Sequence, residues 1–224
     1  MANYTLKNIK EDLVWESENI FYLKSTTERL GKCLAHYEIF KMIYNVPGDI
    51  VELGVFKGVS LSRWATFCNL LENEKSRSIY GFDDFGAFTT QKETLDKDFI
   101  KSWADEAGSH GIDNKELEKI FEEKNINNVY TVKGDILKTI PEFLLSKPQL
   151  KISILHIDVD VYIPTKFALE TMFENVTRGG IILLDDYATT RSGATKAIDE
   201  FLSNNHDLKV NKLNFNRLAY IKKP

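Results

Sequence analysis

The sequence predicts an α/β fold, a Rossmann-like and mostly parallel sheet with helices on both faces, closed at its end by an antiparallel hairpin. Five apolar runs predict the strands, at residues 49–54 (DIVELG), 78–84 (SIYGFDD), 129–135 (VYTVKGD), 152–158 (ISILHID) and 181–186 (IILLDD). Each leads into a loop bearing acids or glycine. Segments with apolar residues three and four apart separate them, as helices require, and strands alternating with helices imply βαβ units and a parallel sheet. The tail, residues 207–224, has two short alternating runs around NFN and reads as the hairpin.

In chain order, an N-terminal helical segment over 1–47 ends in ERLGKCLAHYEIFKMIYN, a helix before the first strand. VPGD after it, and the RGG before the fifth strand, read as helix stops with glycine available for a left-handed C-cap. SLSRWATFCNLLEN is the helix after the first strand, TKFALETMFENV the one after the fourth, and ATKAIDEFLSNN the one after the fifth. Thr165 reads as the N-cap of the second of these. Residues 86–126 are polar, contain Trp103 and His110, fit no strand, and read as a lid-like insertion over the strand ends. The whole chain, 1–224, is expected to form one domain, which suits its length.

Composition narrows the function. Hydrophobic residues at 43% and charged residues at 28% are ordinary for a soluble protein, and a formal charge of -4 argues against nucleic acid held by phosphate contacts. No run is long and apolar enough for a signal peptide or a membrane span, so a cytoplasmic protein with a small-molecule partner is expected. Cys33 and Cys68 have no metal-ligand or disulfide spacing. An apolar face on the N-terminal helices could support a homodimer or form a flap.

The chemistry is expected at the carboxyl ends of the strands, where open α/β sheets bind ligands. In VELGVFKGVS, Gly54 and Gly58 follow a strand and precede a helix, letting the backbone pass close to a ligand at the helix N-terminus. Glu52, an acid inside that strand, is hard to explain as packing. Asp83, at the end of the second strand, is placed to accept hydrogen bonds from ribose hydroxyls. Asp135, or the backbone beside it, is placed to hydrogen-bond an adenine amino group, while KGD taken alone reads as a turn.

Buried strands in LHIDVDVYIPT and IILLDDY end in acids, and desolvating a charge is costly without a partner or a metal. A reversing strand order sets these ends side by side, so Asp158, Asp185 and Asp186 converge. Three such oxygen donors suit a hard divalent cation such as Mg²⁺. Asp160 reads as solvated. His156 reads as a satisfied core histidine or a support of Asp158, His110 as a base or substrate contact on the insertion, and His36 and His206 offer nothing comparable.

Taken together, GDIVELGVFKGVS, GFDDFGAF, LHIDVDVYIPT and GGIILLDDY resemble the TylF-like macrocin O-methyltransferase family, from about Glu28 to Leu202. The resemblance implies the class I methyltransferase form of the sheet, which the terminal hairpin also favours. It implies S-adenosylmethionine as methyl donor, a divalent metal, and often a sugar hydroxyl as acceptor. Glu52, Gly54, Gly58, Asp83 and Asp135 would line the donor site; Asp158, Asp185 and Asp186 would hold Mg²⁺. The chain departs from the family pattern at Val159, usually glycine, at Ile163, usually acidic, and at DDFGAFT, usually a DSFxGLP-like turn. Those departures fall where substrate contacts should lie.

The expected activity is an S-adenosylmethionine- and Mg²⁺-dependent O-methyltransferase acting on a hydroxyl of a sugar or similar polar metabolite, with Asp158 or His110 as base. Two alternatives stay open: a nicotinamide-dependent oxidoreductase, which leaves the paired acids unexplained, and a non-catalytic S-adenosylmethionine-binding module.

Overall fold

A computed structural model describes residues 11–86, 96, 98, 101–102, 110–189 and 192–224. Trp103 and residues 87–95, 97, 99–100 and 103–109 of the expected lid lie outside them. In order, the elements are α1 (Glu11–Lys24), α2 (Thr27–Met42), β1 (Asp49–Leu53), α3 (Val59–Leu71), β2 (Ile79–Asp83), α4 (Asn114–Glu123) and β3 (Val129–Lys133). They continue with α5 (Ile136–Ser146), β4 (Ile152–Ile157), α6 (Tyr162–Met172), a 3-10 turn (Phe173–Asn175), β5 (Val176–Leu184), α7 (Ala194–Ser203), β6 (Val210–Lys212) and β7 (Ala219–Lys222).

The seven strands run in the order β3-β2-β1-β4-β5-β7-β6. β1 to β5 are parallel and β7 pairs antiparallel with β5 and β6, as the alternating tail predicts. The central strands are continuous apolar runs because both faces are covered. All six residues of β4 are buried, whereas β3, at the edge, is half-buried. One face packs under α2, α3 and α4 through Ile39, Phe40, Leu61, Trp64, Leu117 and Phe121. The other packs under α5, α6 and α7 through Ile140, Phe143, Leu169 and Ile198.

Three local expectations need correction. Residues 114–123 are no lid: α4, capped by Asp113, buries Leu117 and Phe121 beside α3 as the regular crossover from β2 to β3. RGG lies within β5, not after a helix. Gly179, at φ +81°, donates its N–H to the Lys223 carbonyl, so the glycine relieves a strand irregularity rather than ending a helix. Gly48 likewise turns the chain into β1, where a Cβ would lie 2.8 Å from the Lys151 carbonyl oxygen.

α1 is exposed over the side chains described, Trp15, Tyr22 and Leu23 included. No helix among the described residues is long and apolar enough to cross a membrane.

Candidate active site

The strand order reverses between β1 and β4, which opens a crevice at their carboxyl ends. The two ends touch there: Asp158 N–H donates to the Leu53 carbonyl at 2.9 Å, and a Cβ on Gly54 would lie 1.7 Å from the Asp158 carbonyl oxygen. Gly54 has φ +89° and Gly58 φ +79°, a left-handed region that glycine enters without strain. The turn between them delivers the chain to the N-terminus of α3, where first-turn N–H groups have no intrahelical partner.

Asp83 holds that turn in place. Its Oδ2 accepts from Val55 N–H at 2.8 Å and Phe56 N–H at 2.9 Å, and its Oδ1 from Phe85 N–H at 2.8 Å. Asp83 thus stands at the end of β2 with backbone bonds already on both oxygens. Asp135 is exposed and caps α5 by accepting from Leu137 N–H. His110 is exposed beside the same β1–α3 turn: its carbonyl accepts from the Lys57 ammonium, and Ile112 N–H donates to the Phe56 carbonyl.

The carboxylates that converge are Asp158, Asp160 and Asp186, one oxygen of each lying within 4.8 Å of the others. Asp160, read from sequence as solvated, is turned inward by a left-handed backbone at φ +61°, and its N–H donates to Asp186 Oδ2 at 3.0 Å. Asp185, expected in one set with Asp158 and Asp186, stands beside this trio, and consecutive side chains at the strand end point it toward α2. Burial and mutual repulsion push Asp158 up to about 6 and Asp160 up to about 8, and Asp186 well above the usual carboxylate range.

Asp185 instead meets Lys32 of α2. Its Oδ2 accepts from the Lys32 ammonium at 2.9 Å, which also lies 3.6 Å from Asp158 Oδ2. Burial opposes both charges, but each stabilises the other: Asp185 falls well below the carboxylate range and Lys32 rises above the ordinary lysine value. Sequence reasoning missed Lys32; its spacing of four from His36, which places both on one face of α2, was the available signal.

Behind Asp185 runs a buried polar chain. His156 stands 3.4 Å from Asp185 Oδ1 through Nε2 and 3.1 Å from Glu52 Oε2 through Nδ1, and Glu52 also accepts from Ser60 and from the Trp64 indole, both at 2.9 Å. Burial alone would favour neutral His156, yet these carboxylates raise it to about 9. The expectation that Glu52 lines the donor site therefore needs correction: its side chain is 0% exposed and both oxygens are bonded inside the protein. His156 is satisfied by Glu52 and Asp185 rather than by Asp158. His36, set aside in the sequence, is fully buried against the same chain and stacks on Trp64 at 4.6 Å.

Asp96, from the segment between β2 and α4, is buried and fastens two helix starts. Its carboxylate accepts from Tyr162 N–H at 3.0 Å and Gly193 N–H at 2.7 Å, at the N-termini of α6 and α7. Thr165 is not a cap: it lies inside α6 and donates to the Val161 carbonyl, Val161 being the N-cap.

A model of the macrocin O-methyltransferase (TylF) family matches residues 27–217. The chain belongs to this family. Among solved structures, CalS11, described as a calicheamicin methyltransferase, matches at TM-score 0.75 and 24% identity, over 98% of this chain and 87% of that one. An apo structure of CalS11, described as a TDP-rhamnose 3'-O-methyltransferase, matches at TM-score 0.68 and 25% identity, over 93% of this chain and 86% of that one. The O-methyltransferase NovP matches at TM-score 0.71 and 18% identity, over 86% and 79%. These likenesses bear out the Rossmann-like class I methyltransferase fold. A curated relative from Streptomyces olivaceus, 8-demethyl-8-(2,3-dimethoxy-alpha-L-rhamnosyl)-tetracenomycin-C 4'-O-methyltransferase, is 24% identical over 148 residues, covering 64% of this chain and 54% of the relative. The chain spans about half the length of that relative.

Proposed function

We propose that the chain is an S-adenosylmethionine- and Mg²⁺-dependent O-methyltransferase whose acceptor is a hydroxyl of a sugar or related polar metabolite. The observation that carries this reading is the convergence of Asp158, Asp160 and Asp186 on a glycine-turned crevice at the β1/β4 switch point, in a chain of the macrocin O-methyltransferase family. The sugar acceptor is supported by the rhamnose-modifying activities named for CalS11 and for the Streptomyces olivaceus relative.

The residues present fit both partners. Gly54 and Gly58 let the turn after β1 pack closely against Asp158 and Leu117, and the α3 N-terminus that follows offers first-turn N–H groups to an anionic end such as the donor's amino-acid carboxylate. The all-oxygen set of Asp158, Asp160 and Asp186, whose charges burial and mutual repulsion disfavour when no cation neutralises them, suits a hard divalent ion. When bound, S-adenosylmethionine would supply an electrophilic methyl carbon, with S-adenosylhomocysteine keeping the electron pair of the broken carbon–sulfur bond, and Mg²⁺ would supply positive charge at the carboxylates.

The chain's own residues align the acceptor and take its proton. Asp158, at the carboxyl end of β4, is the first candidate to accept the hydroxyl proton. His110, exposed beside the β1–α3 turn, is the other base. Asp83 fixes the turn, and Lys32 with His156 fixes Asp185 next to the trio.

Incubation with S-adenosylmethionine and a panel of nucleotide sugars and glycosides, with Mg²⁺ or EDTA, tests the reading. A methylated sugar together with S-adenosylhomocysteine, formed with Mg²⁺ and lost in Asp158→Asn, is expected. Unimpaired turnover in Asp158→Asn contradicts the role of the trio, and donor binding without transfer to any acceptor favours the binding-module alternative.

A further inference from the structure

We infer that α1 is a dimerisation helix, covered by a second copy of this chain in an antiparallel pairing about a two-fold axis near Ile20 and Phe21. The inference does not depend on the reaction proposed above. Val14, Trp15, Ile20, Phe21, Tyr22 and Leu23 are between 37% and 81% exposed, and no described residue of α1 lies in the core on either face of the sheet.

The helix does not account for itself. At 14 residues it has the length, about 12–15 residues, at which an isolated helix is marginal in water. Valine, isoleucine and the aromatic residues that fill it are middling helix formers, so propensity does not hold it either. Seven residues make about two turns. Val14 and Phe21 therefore point one way and Trp15 and Tyr22 another, while Ile20 and Leu23 take the remaining sides. A helix that is apolar all round is a buried helix.

Area and charge both select a second copy. At about 150–250 Å² for a large side chain, the exposed fractions of those six residues come to roughly 500–900 Å². The largest apolar patch of a typical monomer is about 300–600 Å², whereas a stable interface takes about 800 Å² from each partner. Leu34 and Tyr44, exposed along and just after α2, give the α1 of the second copy a further apolar surface. The charges of α1 are ordered along it: Glu16 and Glu18 precede the apolar run over 20–23 and Lys24 follows it, all three exposed. An antiparallel pair centred on that run lays the acids of one copy beside the lysine of the other, and a parallel pair would set acid against acid. The same acids disfavour an anionic lipid surface as the cover. The pairing would also steady α2, whose Lys32 reaches Asp185 in the crevice.

The test is the mass of the full chain in solution, read by light scattering over a wide range of concentration, together with cross-linking between copies. Twice the chain mass is expected, falling to that of a single chain when Trp15→Glu and Leu23→Glu are combined, both at exposed positions outside the core. In a Cys33→Ser background, Phe21→Cys should form a disulfide between copies under a mild oxidant, because residues near a two-fold axis meet their own counterparts. Leu13→Cys, two turns from the axis, should not. If the double variant does not fold, the two cysteine variants decide instead. A single chain at every concentration would overturn the proposal, whether α1 is then covered by the chain's own segments or by phosphatidylglycerol vesicles. A dimer that survives the two glutamates, or cross-linking at Leu13→Cys rather than Phe21→Cys, would overturn it equally.

Discussion

Lys32 Nζ sits 2.9 Å from Asp185 Oδ2, joining a helix near the N-terminus to the end of β5 across 153 residues of sequence. A lysine thereby supplies positive charge inside a group of four aspartates. Lys32→Met is expected to destabilise the metal-free protein by about 1.5–3 kcal/mol, the range of a hydrogen bond to a charged group. Mg²⁺ should restore more stability to the variant than to the parent, because a cation answers the charge that the lysine leaves. Urea unfolding with Mg²⁺ or EDTA measures both effects.

The same acids set a pH dependence. Asp158 and Asp160 have folded values of about 6 and 8, above the unfolded value of about 3.9. The folded state therefore binds more protons, and stability falls as pH rises from about 4 through 8. His156, raised to about 9 from about 6.5, contributes stability that is full below 6.5 and lost as pH rises through 9. Asp185, depressed, works oppositely, and its contribution is lost only in acid below about 4. The unfolding midpoint in EDTA should decline from pH 5 to pH 9, and saturating Mg²⁺ should flatten the decline between pH 5 and 8.

Gly54→Ala should be among the most damaging single changes outside the core. Its φ of +89° costs a side-chain-bearing residue about 1–3 kcal/mol, and the added Cβ would overlap the Asp158 carbonyl at 1.7 Å, pushing β1 and β4 apart. Calorimetric unfolding and donor binding should both show the loss.

Much of this was legible in sequence, for physical reasons. Buried parallel strands are apolar on both faces, so β1, β4 and β5 announced themselves, and the alternating tail announced the hairpin. The switch crevice followed from strand order, which put Asp158 and Asp186 together. What the sequence hid was partnership at long range. Glu52 finds Ser60 and Trp64 one helix later and His156 on the neighbouring strand. Asp160 turns inward through a left-handed residue that no propensity predicts. Asp185 and Asp186 are adjacent in sequence yet serve different groups.

Asp96→Ala removes acceptors from two helix starts at once, at Tyr162 and Gly193. Loss of one cap typically costs about 0.5–2 kcal/mol. The variant should lose about 1–3 kcal/mol in denaturant unfolding, while Asp96→Asn, which keeps one carbonyl acceptor, should lose less.

The most direct test of the donor assignment is thermal unfolding of the intact chain with S-adenosylmethionine or NADH, each with Mg²⁺ or EDTA. A donor at 100 times its dissociation constant adds about 2.7 kcal/mol, a rise of roughly 5–10 °C for a chain of this size. A rise of that order with S-adenosylmethionine and none with NADH is the predicted result. No change with S-adenosylmethionine, or a rise with NADH alone, would contradict the account.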